Sequence, residues 1–168
     1  MSTLKTNNVQ VGQSVTATNN FTLYQPSSPD GTVRLGVGNS GATTADVASF
    51  NSSGVFAFNS GYGSSATAYG CRAWVSFNGT GTVAIRGSGN VTSITDNGVG
   101  DYTVNFTTAM PDANYASTGS AQAQPGSFDA FFQLTTTANP TTSACRFLVQ
   151  FPGTGQRDSA FVSYVAFR

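Results

Sequence analysis

Histidine and glutamate are absent from this chain, and lysine occurs once, at Lys5. Without histidine there is no Ser-His-Asp triad, no His-ligated zinc site and no base to activate a cysteine nucleophile. The loss of Glu and of nearly all Lys removes the best helix formers, while Thr, Val, Phe and Tyr are plentiful, which predicts an all-β protein. Charge is scarce: 8% of residues are charged, against about a quarter in an ordinary domain. Seven basic and seven acidic side chains, all the acids Asp, sum to a formal charge of zero. The arginines are scattered, so no cationic stripe argues for nucleic acid. No apolar run approaches the roughly 20 residues needed to span a bilayer, so no membrane insertion is expected. The opening residues lack the apolar stretch of a secretory leader, and none is expected. The Asn-x-Thr triplets at Asn78 and Asn90 are then read as accidents of an Asn- and Thr-rich composition.

What is there is alternation. From Cys71 to Tyr115 apolar and polar residues alternate almost without break, and each reversal carries Gly, Asn or Asp. This pattern writes antiparallel strands joined by tight turns. The predicted strands cover about 70–78, 82–87, 91–96, 101–107, 113–119, 128–135, 144–151 and 160–167. Residues 78–81 link the first two and 96–100 the third and fourth, in left-handed positions that Asn and Gly tolerate. Eight strands at such spacing predict a sandwich or jelly-roll-like C-terminal knob over residues 63–168.

Residues 1–62 read differently. Short apolar clusters at 9–11, 21–24, 33–37, 47–50 and 55–58 are separated by polar turns, among them 25–31, 38–41 and 51–54. Each cluster is too isolated to close a core within one chain. The expectation is a β-rich shaft or collar in which three chains share an apolar axis; the alternative is more strands of one globular domain. A hinge is expected at 61–65.

The residues AWVSFNGTGTVAIR (73–86), ITDNGVGDYTVNF (94–106) and MPDANY (110–115), in this order, resemble the distal receptor-binding domain of tailed-bacteriophage tail fibres of the podovirus and siphovirus type. STLKTNNVQ (2–10), PDGTVRLGVGN (29–39) and FNSSGV (50–55) carry a weaker likeness, and it thins after 119. The resemblance implies a homotrimer in the virion, assembled in the host cytoplasm. It implies an N-terminus docked on the tail, a baseplate or an adaptor protein, and an outward C-terminal knob without catalysis. Tail fibres are often far longer, which leaves the anchoring point open between tail and head.

Candidate residues follow from loop composition and strand phase. The long polar loops near 60–69, 119–127, 135–143 and 152–158 carry amides, hydroxyls and tyrosine rings suited to sugars. Tyr62, Tyr69, Gln122, Gln124, Arg157 and Asp158 are the receptor-binding candidates. Trp74, Phe131, Val162 and Tyr164 are the subunit-interface candidates; Trp74 also reads as a sugar-stacking platform and Phe131 as a ligand contact. Phe128, Phe132 and Leu134 are expected in the core. The last strand is apolar on both phases, which places it centrally or against another subunit. Cys71 and Cys145 both fall on apolar phases, as buried free thiols or as a cross-strand disulfide, the latter disfavoured in a reducing cytoplasm.

Asp96 and Asp101 flank a turn, either as turn and cap residues or as part of a calcium loop that lacks a third ligand in register. No pair among the aspartates stands out for glycoside hydrolysis. No metal and no cofactor is expected, and no enzyme. The predicted function is host attachment by multivalent binding of a surface glycan or outer-membrane protein. A head fibre or capsid decoration protein is the alternative; a depolymerase or a cellular carbohydrate-binding module ranks below both.

Overall fold

The computed structural model describes residues 6–61, 64–123 and 130–168. All sheets are antiparallel, and the described residues include no α-helix, only a single 3-10 turn at Ala17–Asn19. The chain forms two compact units, Met1–Ala68 and Tyr69–Arg168.

The first unit is one six-stranded meander: β1 (Asn8–Val11), β2 (Phe21–Tyr24), β3 (Thr32–Asn39), β4 (Ala42–Asn51), β5 (Phe56–Phe58) and β6 (Ala66–Thr67), paired in chain order. Because side chains alternate across a strand, register decides which residues share a face. One row runs Val9–Leu23–Leu35–Ala48–Phe58–Ala66. Beside it run Val11–Phe21–Val37–Ala45 and Val33–Phe50–Phe56. These rows make one continuous apolar face.

The opposite face is polar and internally satisfied. Asp46 accepts from the Tyr24 hydroxyl and, at 3.0 Å, from Arg34, which also pairs with Asp30. Asn20 clasps Ser14 and Asn39, and the Thr22 hydroxyl donates to Gly38 O. The buried residues of this unit, among those described, are Asn20, Thr22, Gly36 and Gly38, none of them a large apolar side chain.

The second unit is a two-sheet sandwich. Its strands are β7 (Cys71–Asn78), β8 (Ala84–Gly89), β9 (Val91–Gly98), β10 (Asp101–Phe106), β11 (Ala116–Ala121), β12 (Phe131–Leu134), β13 (Ala144–Phe151), β14 (Gly155–Gln156) and β15 (Val162–Phe167). One sheet has the order β12-β13-β10-β9, with β14 on β13, and the other β11-β15-β7-β8. Between them lies a core of alternating residues: Ala73, Val75 and Phe77 of β7; Tyr102, Val104 and Phe106 of β10; Cys145, Phe147, Val149 and Phe151 of β13; Val162, Tyr164 and Ala166 of β15. Phe77 meets Tyr102 edge-on at 5.1 Å, and Phe147 stacks on Tyr164 at 5.7 Å. Both contacts join the sheets with a geometry favoured by the ring quadrupoles.

The chain crosses from β8 to β9 at Asn90, the one non-glycine with positive φ among the described residues. Asn tolerates that conformation, and here its side chain repays it locally. Its amide donates to Arg72 O and Thr108 O and accepts from Thr108 N, tying the two sheets at the crossover.

Several expectations change here. Val162 and Tyr164 are 1% and 2% exposed, inside the sandwich of a single chain, so neither forms a subunit interface. The two-sided apolar strand is explained by an inward phase of Val162, Tyr164 and Ala166 and an outward phase that leaves Phe161 and Phe167 exposed. Leu134 is exposed at the end of β12, while Phe132 packs on the core. Cys145 is buried but Cys71 is exposed, and both are free thiols. The register of β15 against β7 shifts between Ala166↔Ala73 and Phe167↔Cys71, and this bulge turns Cys71 out of the inward phase.

Candidate functional site

The outer faces of the two sheets differ. On the β12-β13-β10-β9 sheet, polar side chains are engaged with one another. Arg146 grips Asp101 through two contacts at 2.7 and 2.8 Å, and this pairing holds the Asp101 carboxyl below its usual range. Asn97 donates to Thr103 and Asp101, and Asn105 to Ser93 and Thr95. Asp96 caps Gly98 N. The flanking carboxylates are thus spent on an ion pair and a turn, and no cluster of three metal-binding side chains occurs among the described residues.

On the β11-β15-β7-β8 sheet, the outer face carries aromatic and hydroxyl groups. Register places Thr118, Val165, Trp74 and Gly89 in one row, and Ser120, Ser163, Ser76 and Gly87 in the next. Trp74 is 46% exposed and lies lengthwise along β8. A Cβ at Gly89 would come within 2.8 Å of indole Cδ1, and one at Gly87 within 3.4 Å of Cη2. Glycine at both positions lets the ring settle onto the backbone. In the serine row, the hydroxyls of Ser120 and Ser163 are 2.8 Å apart.

Beyond the serines stands Phe161, 53% exposed, with the Arg86 guanidinium 4.0 Å from its ring centroid. Arg86 is the extra residue of a bulge: Ser76 pairs Gly87, whereas Phe77 pairs Ile85. Among the described residues Arg86 has no acidic partner. Ser76, Ser120, Gln122, Phe161 and Ser163 line a shallow depression of about 350 Å³.

The candidates fall as follows. Gln122 lies on this depression, its N–H bonded to Phe161 O and its carbonyl accepting from Ser159. Tyr69 is exposed and stands where the second unit begins. Arg157 is exposed, its N–H bonded to Val149 O. Asp158 serves the fold: one of its oxygens lies 2.7 Å from the Tyr102 hydroxyl and 2.8 Å from Gly100 N. Tyr102 also contacts Gly79 O, and burial raises its phenol pKa. Phe131 is exposed on the outer side of β12, opposite Gln150. Tyr62 and Gln124 lie outside the described residues, as do Phe128 and Asp129.

Sequence reading missed Arg86, Phe161 and the serine row. A signal for Trp74 was present: the hairpin 71–89 sets Gly87-Ser88-Gly89 opposite Trp74-Val75-Ser76, which leaves an indole nothing but backbone to rest on. Compared with family models, with curated proteins and with solved structures, the chain has no significant match.

Proposed function

We propose that the chain is a virion attachment protein of a tailed phage, a short fibre that assembles as a homotrimer and binds a glycan or protein on the host envelope without catalysis. The observation that carries the assembly is the first unit's apolar face. Val9, Val11, Phe21, Leu23, Val33, Phe50 and Phe58 are all exposed by 40% or more. A sheet with one apolar face needs a second layer to bury it. Patches beyond a few hundred Å² are rare on monomers. Since the opposite face is already satisfied, the missing layer belongs on the apolar side. Equivalent sheets of three copies supply it, and a cyclic arrangement closes without leaving an open surface.

The sandwich needs no such help, because its core is complete within one chain. It is the presenting head, with an aromatic and hydroxyl face suited to sugars. Weak binding at each head becomes firm attachment when three heads and several fibres act together. The N-terminal part of the chain docks on the tail, a baseplate or an adaptor protein.

The test has three measurements on the full chain. Sedimentation should give three copies per particle, binding to susceptible cells should be saturable, and antibody should label tails on intact virions. A stable monomer with an ordered first sheet overturns the assembly. Absence of cell binding overturns the attachment role. Labelling of capsids moves the protein to the head.

A further inference from the structure

We infer that the outer face of the β11-β15-β7-β8 sheet binds an acidic saccharide, with a pyranose ring stacked on Trp74 and a sugar carboxylate held by Arg86. The inference rests on the attachment reading and names the ligand class of its head.

Three features converge on this chemistry. Trp74 is solvent-exposed and yet seated, since Gly87 and Gly89 let the indole rest along the strand. An aromatic fixed before binding loses little freedom when a ring stacks on it, and the apolar C–H face of a pyranose suits such a surface. Next comes the row of Ser120, Ser163 and Ser76, short side chains that leave a recess and offer hydroxyls as both donors and acceptors. Last comes Arg86. Its guanidinium is steadied over Phe161 at 4.0 Å and has no acidic partner among the described residues. In a chain with formal charge zero, an exposed guanidinium over a ring that itself lines the depression is a local excess of positive charge. It complements a carboxylate, which arginine binds through paired N–H donors. One cation is far too few for a nucleic acid backbone, whose binding scales with the number of phosphates neutralised. A second copy of the chain is the competing occupant, and the experiment separates the two.

Trp74 is the only tryptophan, so emission excited selectively from tryptophan, apart from the six tyrosines, reports on this face alone. The full-length protein in its native assembly would be titrated with oligosaccharides containing uronic or sialic acids, and with neutral hexose oligomers of equal length. The expected result is a saturable emission change with the acidic oligomers, at least tenfold weaker with the neutral ones and weakened by salt. Arg86→Gln should erase the preference for acidic sugars while leaving residual stacking. Trp74→Ala, followed by calorimetry, should abolish binding with the assembly intact.

Equal response to acidic and neutral sugars overturns the role of Arg86. Dissociation of the assembly by either substitution shows an interface between copies and overturns the inference. If both variants bind cells as well as the parent, the site is elsewhere and attachment stands. If the parent itself fails to bind cells, the attachment reading is what fails.

Discussion

In the first unit the apolar phase of the strands faces water; in the second the same kind of phase meets another sheet. Both units obey one alternation rule, and both fill their turns with Gly, Asn and Ser. The difference is the number of layers. The sandwich brings β7 and β15 against β10 and β13, so Phe77, Tyr102, Phe147 and Tyr164 bury each other. Among the described residues the six-stranded meander has no second layer, and Phe50, Phe56 and Phe58 stack along its surface, with ring centroids 4.8 and 6.0 Å apart. One unit closes its core within the single chain; the other leaves an apolar face open on it.

The largest effect should come from charging the open face. Leu23→Asp with Phe56→Asp should abolish the oligomer in sedimentation experiments, while the sandwich melts within about 0.5 kcal/mol of the parent, as independent sites do. A surviving trimer would end the contrast. Next is a cavity in the closed core: Phe147→Ala should cost about 3–5 kcal/mol of sandwich stability in urea unfolding. Asp158→Ala should cost about 1–3 kcal/mol, because Gly100 N loses its acceptor and the Tyr102 hydroxyl keeps only Gly79 O. Cell binding per folded molecule should not change, which separates its structural role from the ligand contact expected of that loop.

Acid should act more gently. The Asp101 carboxyl has a lower pKa folded than unfolded, mainly through its bond to Arg146. Its contribution is therefore complete above the unfolded value of 3.8 and is lost as pH falls through the folded value. Asp101→Asn should flatten that part of the stability curve by about 1 kcal/mol, read from urea midpoints between pH 5 and 2. The smallest perturbation is chemical. A thiol reagent should modify Cys71 in the native protein and reach Cys145 only after unfolding.

The strands of the sandwich were legible because a half-buried strand must alternate and its turns need residues that accept left-handed backbone. Val91–Gly98 and Asp101–Phe106, with the glycine turn between them, are the clearest case. Two features of the same strands were not legible. A strand apolar on both phases does not reveal which phase faces inward, and this misassigned Val162 and Tyr164. A bulge shifts phase by one residue without altering the pattern, and this misplaced Cys71. The candidate site was legible at Trp74 and, through loop composition, at Gln122. Arg86 and Phe161 are 75 positions apart in sequence, and only the pairing of β15 with β7, and of β7 with β8, brings them together.

Asn90 has one further consequence. The amide nitrogen that would accept an N-linked sugar in Asn90-Val91-Thr92 is the same atom that bonds Arg72 O and Thr108 O. In a secretory compartment of a eukaryotic expression host, an oligosaccharide added there before the strands closed would take one of the two amide hydrogens, and with it one of the two bonds donated across the crossover. Misfolded glycoprotein, rather than a decorated native form, is the expected product of that route, and a bacterial cytoplasm is the better place to make this chain.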